Sequence, residues 1–145
     1  MKKEYIDVTG YSGEGYKPLV DFESWRIAIL NYIDELEIQR LRSMQKHNET
    51  DEVFVLLSGN CTLFTGGLGD SITEIDAIAM EPYKLYNVKK GVWHTHTLDK
   101  KAMVLIVENQ NTSELNSPKI RLNEEQITML QQVFQKTSPS FNYLD

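Results

Sequence analysis

Three histidines and one glutamate are the residues of this chain whose types and positions predict chemistry. His47, His94 and His96 are the only histidines among the 145 residues, and each lies beside a turn at the end of a predicted strand. Glu52 opens the apolar run 53–57, where a carboxylate needs a cation, a metal ion or a dense set of hydrogen bonds to stay charged. Imidazoles and a carboxylate are common ligands for iron, manganese, nickel and zinc. These side chains therefore predict a metal site or a polar binding pocket.

Strands must position these side chains. Runs rich in apolar residues recur about every eight to twelve residues with turns between them, in the segments 41–46, 52–57, 61–65, 72–79, 83–88, 92–97 and 103–108. Residues two apart on a strand face the same side, so His94 and His96 share a face, as do Gln45 and His47. The pattern predicts a β-sandwich or β-barrel with its polar residues at the strand ends.

One α-helix is predicted, over 123–136. Asn123 is a good N-cap, and Gln126 stands three residues later, as in a capping box. The apolar residues that follow form one stripe that can dock on the strands, namely Ile127, Leu130, Val133 and Phe134.

Two segments before residue 41 are less regular. Residues 1–20, rich in glycine and tyrosine, are predicted to form an irregular N-terminal arm. In 24–37 the apolar residues fall at helical spacing, yet 25–32 is dense in residue types that favour strands. Local pattern leaves both secondary structures open for this segment.

Two spaced motifs in 45–98 resemble those of the cupin superfamily. The first family motif has the form G-x5-H-x-H-x3-4-E-x6-G, and here His47 is followed by Glu52 and Gly59 at matching spacing. The second has the form G-x5-P-x-G-x2-H-x3-N, and here Gly91 is followed by His94. Each motif is weak alone, and the two in this order are more specific.

This resemblance implies an all-β fold, a double-stranded β-helix or jelly-roll barrel, with the C-terminal α-helix packed outside. A single domain is expected over 1–145, with the barrel core in 21–110. The resemblance also assigns 24–46 to strands that lead into the first motif, with room for a short helix at 34–38.

Metal-binding cupins typically use two histidines and the glutamate of the first motif and the histidine of the second. Carried over, the metal ligands here are His47, Glu52 and His94. Gln45 occupies the position of the other first-motif histidine, and an amide oxygen is a poor ligand for these metals but can hold water or substrate. His96 shares a face with His94 and is therefore a candidate replacement ligand.

Two further positions depart from the second motif, because Lys89 replaces its proline and Leu98 its asparagine. The order Gly-Val-Trp-His at 91–94 resembles a segment of ureidoglycolate lyases, which are cupin-like. We take His96 and Glu52 as the candidate catalytic residues. The candidate substrate pocket consists of Gln45, Tyr86 and Trp93, although Trp93 fits a core position equally well.

Composition excludes several classes of function. The formal charge is −6 and the basic residues are scattered, so nothing resembles the basic stripe of a nucleic-acid-binding protein. The apolar runs are too short to cross a membrane, and the N-terminus has no apolar signal region. Cys61 is the only cysteine, which rules out an internal disulfide and fits a reducing compartment. A cytoplasmic protein that binds a small molecule is expected.

Three functions remain open at this point. The first is a metal-assisted enzyme of lyase, hydrolase or isomerase type that acts on a small polar or anionic metabolite. The alternative is a metal-free module that binds or senses a small carboxylate or sugar-like ligand. The third is a metal-free enzyme with a histidine as general base. A homodimer is expected as well, with an edge strand near 4–9 suited to pairing.

Overall fold

Ten strands and one α-helix form in residues 3–138 and 141, the part of the chain that this computed structural model describes. The elements are β1 (Tyr16–Phe22), β2 (Trp25–Asn31), β3 (Ser43–Gln45), β4 (Glu52–Ser58), β5 (Cys61–Thr65), β6 (Asp76–Ala79), β7 (Leu85–Val88), β8 (His94–Leu98), β9 (Met103–Asn109), β10 (Lys119–Arg121) and α1 (Glu124–Thr137). No helix in these residues is long and apolar enough to cross a membrane.

The strands form two five-stranded antiparallel sheets, in the orders β1-β2-β9-β4-β7 and β10-β3-β8-β5-β6. Alternation directs every second side chain inward, so Phe54 and Ile106 of the first sheet pack with Leu63 and Leu98 of the second. This inner core also holds Cys61, which is buried as its predicted strand position implies. The predicted all-β jelly roll is confirmed.

A second core lies between the outer face of the second sheet and α1. Met44, Phe64 and Trp93 pack there against Leu130 and Phe134 of the helix. The second sheet is therefore buried on both of its faces. The predicted placement of the helix outside the barrel is confirmed.

The start of α1 follows the predicted capping box. Asn123 Oδ1 accepts a hydrogen bond of 2.8 Å from the backbone N–H of Gln126, and Gln126 Oε1 accepts one of 2.9 Å from the N–H of Asn123. These two bonds satisfy donors that the first turn of a helix leaves without partners.

The segment 24–37 is a strand at its start, as the cupin resemblance implied and against its helical periodicity. β2 pairs with β1 on one side and with β9 on the other, so tertiary pairing outweighs the local pattern. The expected short helix is present as a 3-10 turn at Asp34–Leu36.

The N-terminal arm is shorter than predicted. β1 begins at Tyr16, inside the segment 1–20, because its backbone pairs with the edge of β2. The expected strand near 4–9 is absent, since a 3-10 turn at Lys3–Tyr5 is followed by irregular chain up to β1. The expected homodimer stays a prediction.

Gly59 closes the turn between β4 and β5, where both conformation and space require glycine. Its φ is +66°, in the left-handed region that side chains disfavour. A Cβ atom at this position would lie 2.3 Å from the backbone nitrogen of Ala102 and 2.4 Å from the carbonyl carbon of Lys101. The turn is thus held against the chain that leads into β9.

We expect Gly59→Ala to destabilise the fold more than Gly69→Ala does. Gly69 also has a positive φ, of +101°, but a Cβ there would meet nothing within 4 Å. Positive φ costs each variant about 1–2 kcal/mol, and the clash at Gly59 adds about 1–3 kcal/mol. Urea unfolding of the two variants and the wild type measures the difference. Equal losses of unfolding free energy would show that close backbone approach is not what demands Gly59.

Candidate functional site

His47, Glu52 and His94 meet inside the barrel, between the two sheets. Glu52 begins β4 of the first sheet, His94 begins β8 of the second, and His47 follows β3. Nε2 of His47 and Nε2 of His94 each lie 3.0 Å from the same oxygen, Glu52 Oε1. The three side chains are buried, and one ligand atom of each lies within 4.8 Å of the others.

The hydrogen bond on the far side of the His94 ring determines where its proton lies. His94 Nδ1 is 2.9 Å from the backbone oxygen of Val92, which can only accept, so Nδ1 carries the proton. In a neutral ring, Nε2 then presents a lone pair to the carboxylate oxygen of Glu52. Two electron-rich atoms are stable at this distance only with a proton or a cation between them. The donor set of two imidazoles and one carboxylate fits a divalent metal ion.

Charge within the cluster follows from burial and from these contacts. Burial acts to raise the pKa of Glu52, but hydrogen bonds with His47 and His94 outweigh it and hold that pKa below its usual range. Burial acts to lower the pKa of His47, and its contact with Glu52 outweighs burial and raises it. A proton and a metal ion therefore compete for the same place beside an ionised Glu52.

The cluster opens into a cavity of about 530 Å³, a size that suits a small metabolite. Gln45, His47, Glu52 and His96 all line it, so these four predicted site residues come together. Apolar side chains cover part of its wall, and the segment 112–117 contributes another part; the lining includes Leu30, Ile33, Leu36, Ile106, Thr112, Ser113, Glu114 and Ser117.

His96 lies on the same inner face as His94 but outside the three-residue cluster. Its ring centroid is 5.7 Å from that of Phe54, and its Nδ1 has no hydrogen-bond partner among the described residues. Burial lowers the pKa of His96 to about 4, so the ring is neutral at neutral pH. His96 is therefore placed beside the cluster and not within it.

Neither Trp93 nor Tyr86, both predicted to line the substrate pocket, lies in this cavity. Trp93 precedes His94 and so faces the opposite side of its strand, where it is buried under α1 and donates a hydrogen bond of 3.0 Å to the backbone oxygen of Gly69. The Tyr86 hydroxyl accepts a hydrogen bond of 2.9 Å from the backbone N–H of Glu81, and its ring lines a separate depression.

Among the cavity residues that sequence reasoning missed are three with paired polar groups, namely Tyr16, Arg26 and Glu108. Glu108 Oε1 accepts hydrogen bonds from the Tyr16 hydroxyl at 2.6 Å and from an Arg26 guanidinium nitrogen at 2.9 Å. Arg26 pairs with Glu108 across β2 and β9, and Val53 pairs with Val107, so Glu52 lies across from Glu108. Inward and outward positions alternate along β9, and Glu108 falls on an inward one. This alternation is visible in the sequence and could have identified Glu108 as a cavity residue.

Glu108 adds a second buried carboxylate beside the cluster. Burial and then the charge of Glu52 raise its pKa, while the bonds from Tyr16 and Arg26 act to lower it. Arg26 also donates to the backbone oxygens of Gln110 and Thr112, at 3.2 and 3.1 Å. The two terminal guanidinium nitrogens are thus committed to Glu108 and to the chain that follows β9, while the buried Nε has no hydrogen-bond partner among the described residues.

Solved structures with similar folds are known, although no protein-family model and no curated protein matches the sequence. A variant of Streptomyces PAC13 with uridine has a TM-score of 0.51 at 16% identity, covering 79% of this chain and 85% of that one. KdgF from Halomonas has a TM-score of 0.50 at 8% identity, covering 69% and 81%. Fe(II)-HppE with an alternative substrate has a TM-score of 0.51 at 16% identity, covering 65% and 48%.

These solved structures are members of the cupin superfamily. At such identities the likeness concerns the fold, and it agrees with the two sheets and the outer helix described above. The chain is therefore a protein of cupin fold, as its two motifs predicted.

Proposed function

We propose that this chain is a metal-dependent enzyme of lyase, hydrolase or isomerase type that acts on a small polar metabolite. His47, Glu52 and His94 would hold the metal ion, which is iron, manganese, nickel or zinc. The observation that carries the proposal is the contact between His94 Nε2 and Glu52 Oε1. Because Nδ1 of His94 is committed to a backbone oxygen, this contact needs a proton or a cation between the two atoms, and a divalent ion would meet that need for His47 and His94 together.

A divalent metal ion at this place supplies polarisation of a substrate carbonyl, carboxylate or hydroxyl oxygen. His96, on the same face of β8, is the candidate to accept or return a proton, because it lines the cavity and its Nδ1 has no hydrogen-bond partner among the described residues. The Gln45 amide lines the same cavity and can orient a substrate hydroxyl or carbonyl group. Leu30 and Ile106 exclude water from one side of the cavity.

The charges of the cavity favour a neutral polar substrate over a strongly anionic one. Arg26 is the one lysine or arginine among the lining residues of the described cavity, and its guanidinium group is engaged by Glu108 and two backbone oxygens. Glu114 adds a negative charge that no cationic side chain among the described residues lining this cavity offsets, because Arg26 is paired with Glu108. Hydroxyl groups, which carboxylates readily accept as hydrogen-bond donors, fit this lining better than phosphates.

Elemental analysis of protein purified without an affinity tag or chelator tests the metal site. We expect about one equivalent of a divalent metal in the wild type, and its loss in His47→Ala and in His94→Ala, since each removes one of three ligands. His96→Ala is the matched control, because His96 lies outside the cluster, and it should keep the metal. A wild type that stays free of metal after incubation with each ion would favour the metal-free binding module instead.

Metal binding should weaken as the pH falls. The pKa of His47 is raised above its ordinary value of about 6.5 by Glu52, so a proton occupies the ligand nitrogen from near-neutral pH downward. Zinc affinity measured by competition with a chromophoric chelator, from about pH 8 to about pH 5, should therefore drop progressively toward low pH. A zinc affinity that stayed constant over this range would contradict a site that uses His47.

A further inference from the structure

The segment 110–118, between β9 and β10, reaches the metal-ligand cluster from outside both sequence motifs. It contains a 3-10 turn, Glu114–Asn116, whose N-cap is Ser113. It also packs on the chain that carries His47, because the backbone N–H of Asn48 donates a hydrogen bond of 3.0 Å to the backbone oxygen of Asn116. The segment is thus both a wall of the cavity and a neighbour of one ligand.

A chain of hydrogen bonds runs from His47 into this segment. His47 Nδ1 lies 2.7 Å from Ser117 Oγ, and Ser117 Oγ donates to Asn116 Oδ1 at 3.2 Å. The Asn116 amide is itself oriented, since Oδ1 accepts a bond of 3.0 Å from the N–H of Ser113 and Nδ2 donates one of 3.1 Å to the backbone oxygen of Asn111. The Asn116 amide oxygen is thus fixed as the group that faces the Ser117 hydroxyl.

This chain of hydrogen bonds fits the tautomer of His47 that a metal ion on Nε2 requires. An imidazole that binds a metal ion through Nε2 carries its proton on Nδ1, so the Ser117 hydroxyl, 2.7 Å away, accepts that proton and donates its own to Asn116 Oδ1, an amide oxygen that only accepts. Toward His47 the hydroxyl oxygen is then an acceptor, and Nδ1 is the donor. With the proton of His47 on Nδ1, the lone pair of Nε2 is directed at the place of the metal ion beside Glu52.

We propose that Ser117 is a positioning residue, which holds His47 as the Nδ1–H tautomer and so keeps Nε2 free to bind the metal ion. The role of the bound metal rests on the proposed function. Without the Ser117 hydroxyl, the proton of His47 is more stable on Nε2, where Glu52 accepts it and where it blocks the ligand atom. Partners of this kind affect metal affinity by about 10- to 100-fold.

The two histidine ligands thus differ in what orients them. His94 donates to the backbone oxygen of Val92, two residues earlier in its own segment, and this contact does not depend on a side chain. His47 depends on a serine that is 70 residues away in sequence. Substitutions at Ser117 should therefore alter His47 and leave His94 unchanged, which gives the test an internal control.

Zinc affinity and the imidazole proton signals of nitrogen-15-labelled protein test the role of Ser117. Ser117→Ala should bind zinc about 10- to 100-fold more weakly than the wild type, and the Nδ1–H signal of His47 should be lost to exchange. The Nδ1–H signal of His94 should persist. Ser117→Thr, which keeps the hydroxyl, should restore both the affinity and the signal. The exposed Ser71 supplies a matched control, and Ser71→Ala should behave as the wild type.

Ser117→Cys is close in size to serine but accepts hydrogen bonds weakly, so it replaces Ser117→Ala if that variant does not fold. A Ser117→Ala or Ser117→Cys variant that binds zinc as the wild type does and keeps the His47 signal overturns the proposal.

Failure of the proposed function gives a different result, because the wild type then binds no metal. In that case the test is a long-range proton–nitrogen-15 spectrum of the metal-free protein. Recorded at a pH above the pKa values of the imidazoles, it identifies which ring nitrogen of His47 carries the proton. A shift of the His47 proton from Nδ1 to Nε2 in the variant supports the positioning role, and an unchanged tautomer overturns it.

Discussion

A carboxylate buried between two imidazoles is the constraint on which the rest of the site depends. Glu52 Oε1 is 3.0 Å from a ring nitrogen of His47 and equally far from one of His94. A buried charge of this kind is stable only when its partners are held at fixed positions. Glu52 belongs to the first sheet, whereas His94 lies in the second sheet and His47 directly follows a strand of it, so the facing of the two sheets and the placement of the charge require each other.

The polar groups are confined to one end of the inner face of the first sheet. Arg26, Glu108 and Glu52 form one row across β2, β9 and β4, and the next inward row is apolar, with Ala28, Ile106 and Phe54. The apolar rows stabilise the barrel by burial, while the polar row leaves charges at its mouth that only one another or a ligand can satisfy. Stability and chemistry are thus assigned to different rows of the same strands.

Sequence reasoning found the residues whose spacing is local and missed those whose proximity is created by sheet pairing. His47, Glu52 and His94 were predicted from two short motifs, and alternation predicted most strands. Helical periodicity was misleading at Trp25–Asn31, because the partners that make this segment a strand lie about 80 residues further on, in β9. Glu108 and Arg26 escaped notice for the same reason. Trp93 could have been excluded from the pocket by strand parity, since it alternates with His94.

The burial of the second sheet on both faces makes the strand that carries His94 and the C-terminal helix parts of one cooperative unit. Trp93 packs under α1, and the next residue, His94, contacts Glu52 between the two sheets, so adjacent side chains of one backbone segment lie on opposite faces of the sheet. Undocking the helix would expose the apolar outer face of β3, β5 and the start of β8 to water. Local undocking of α1 would therefore disturb the position of His94, although the helix itself contributes no residue to the cavity.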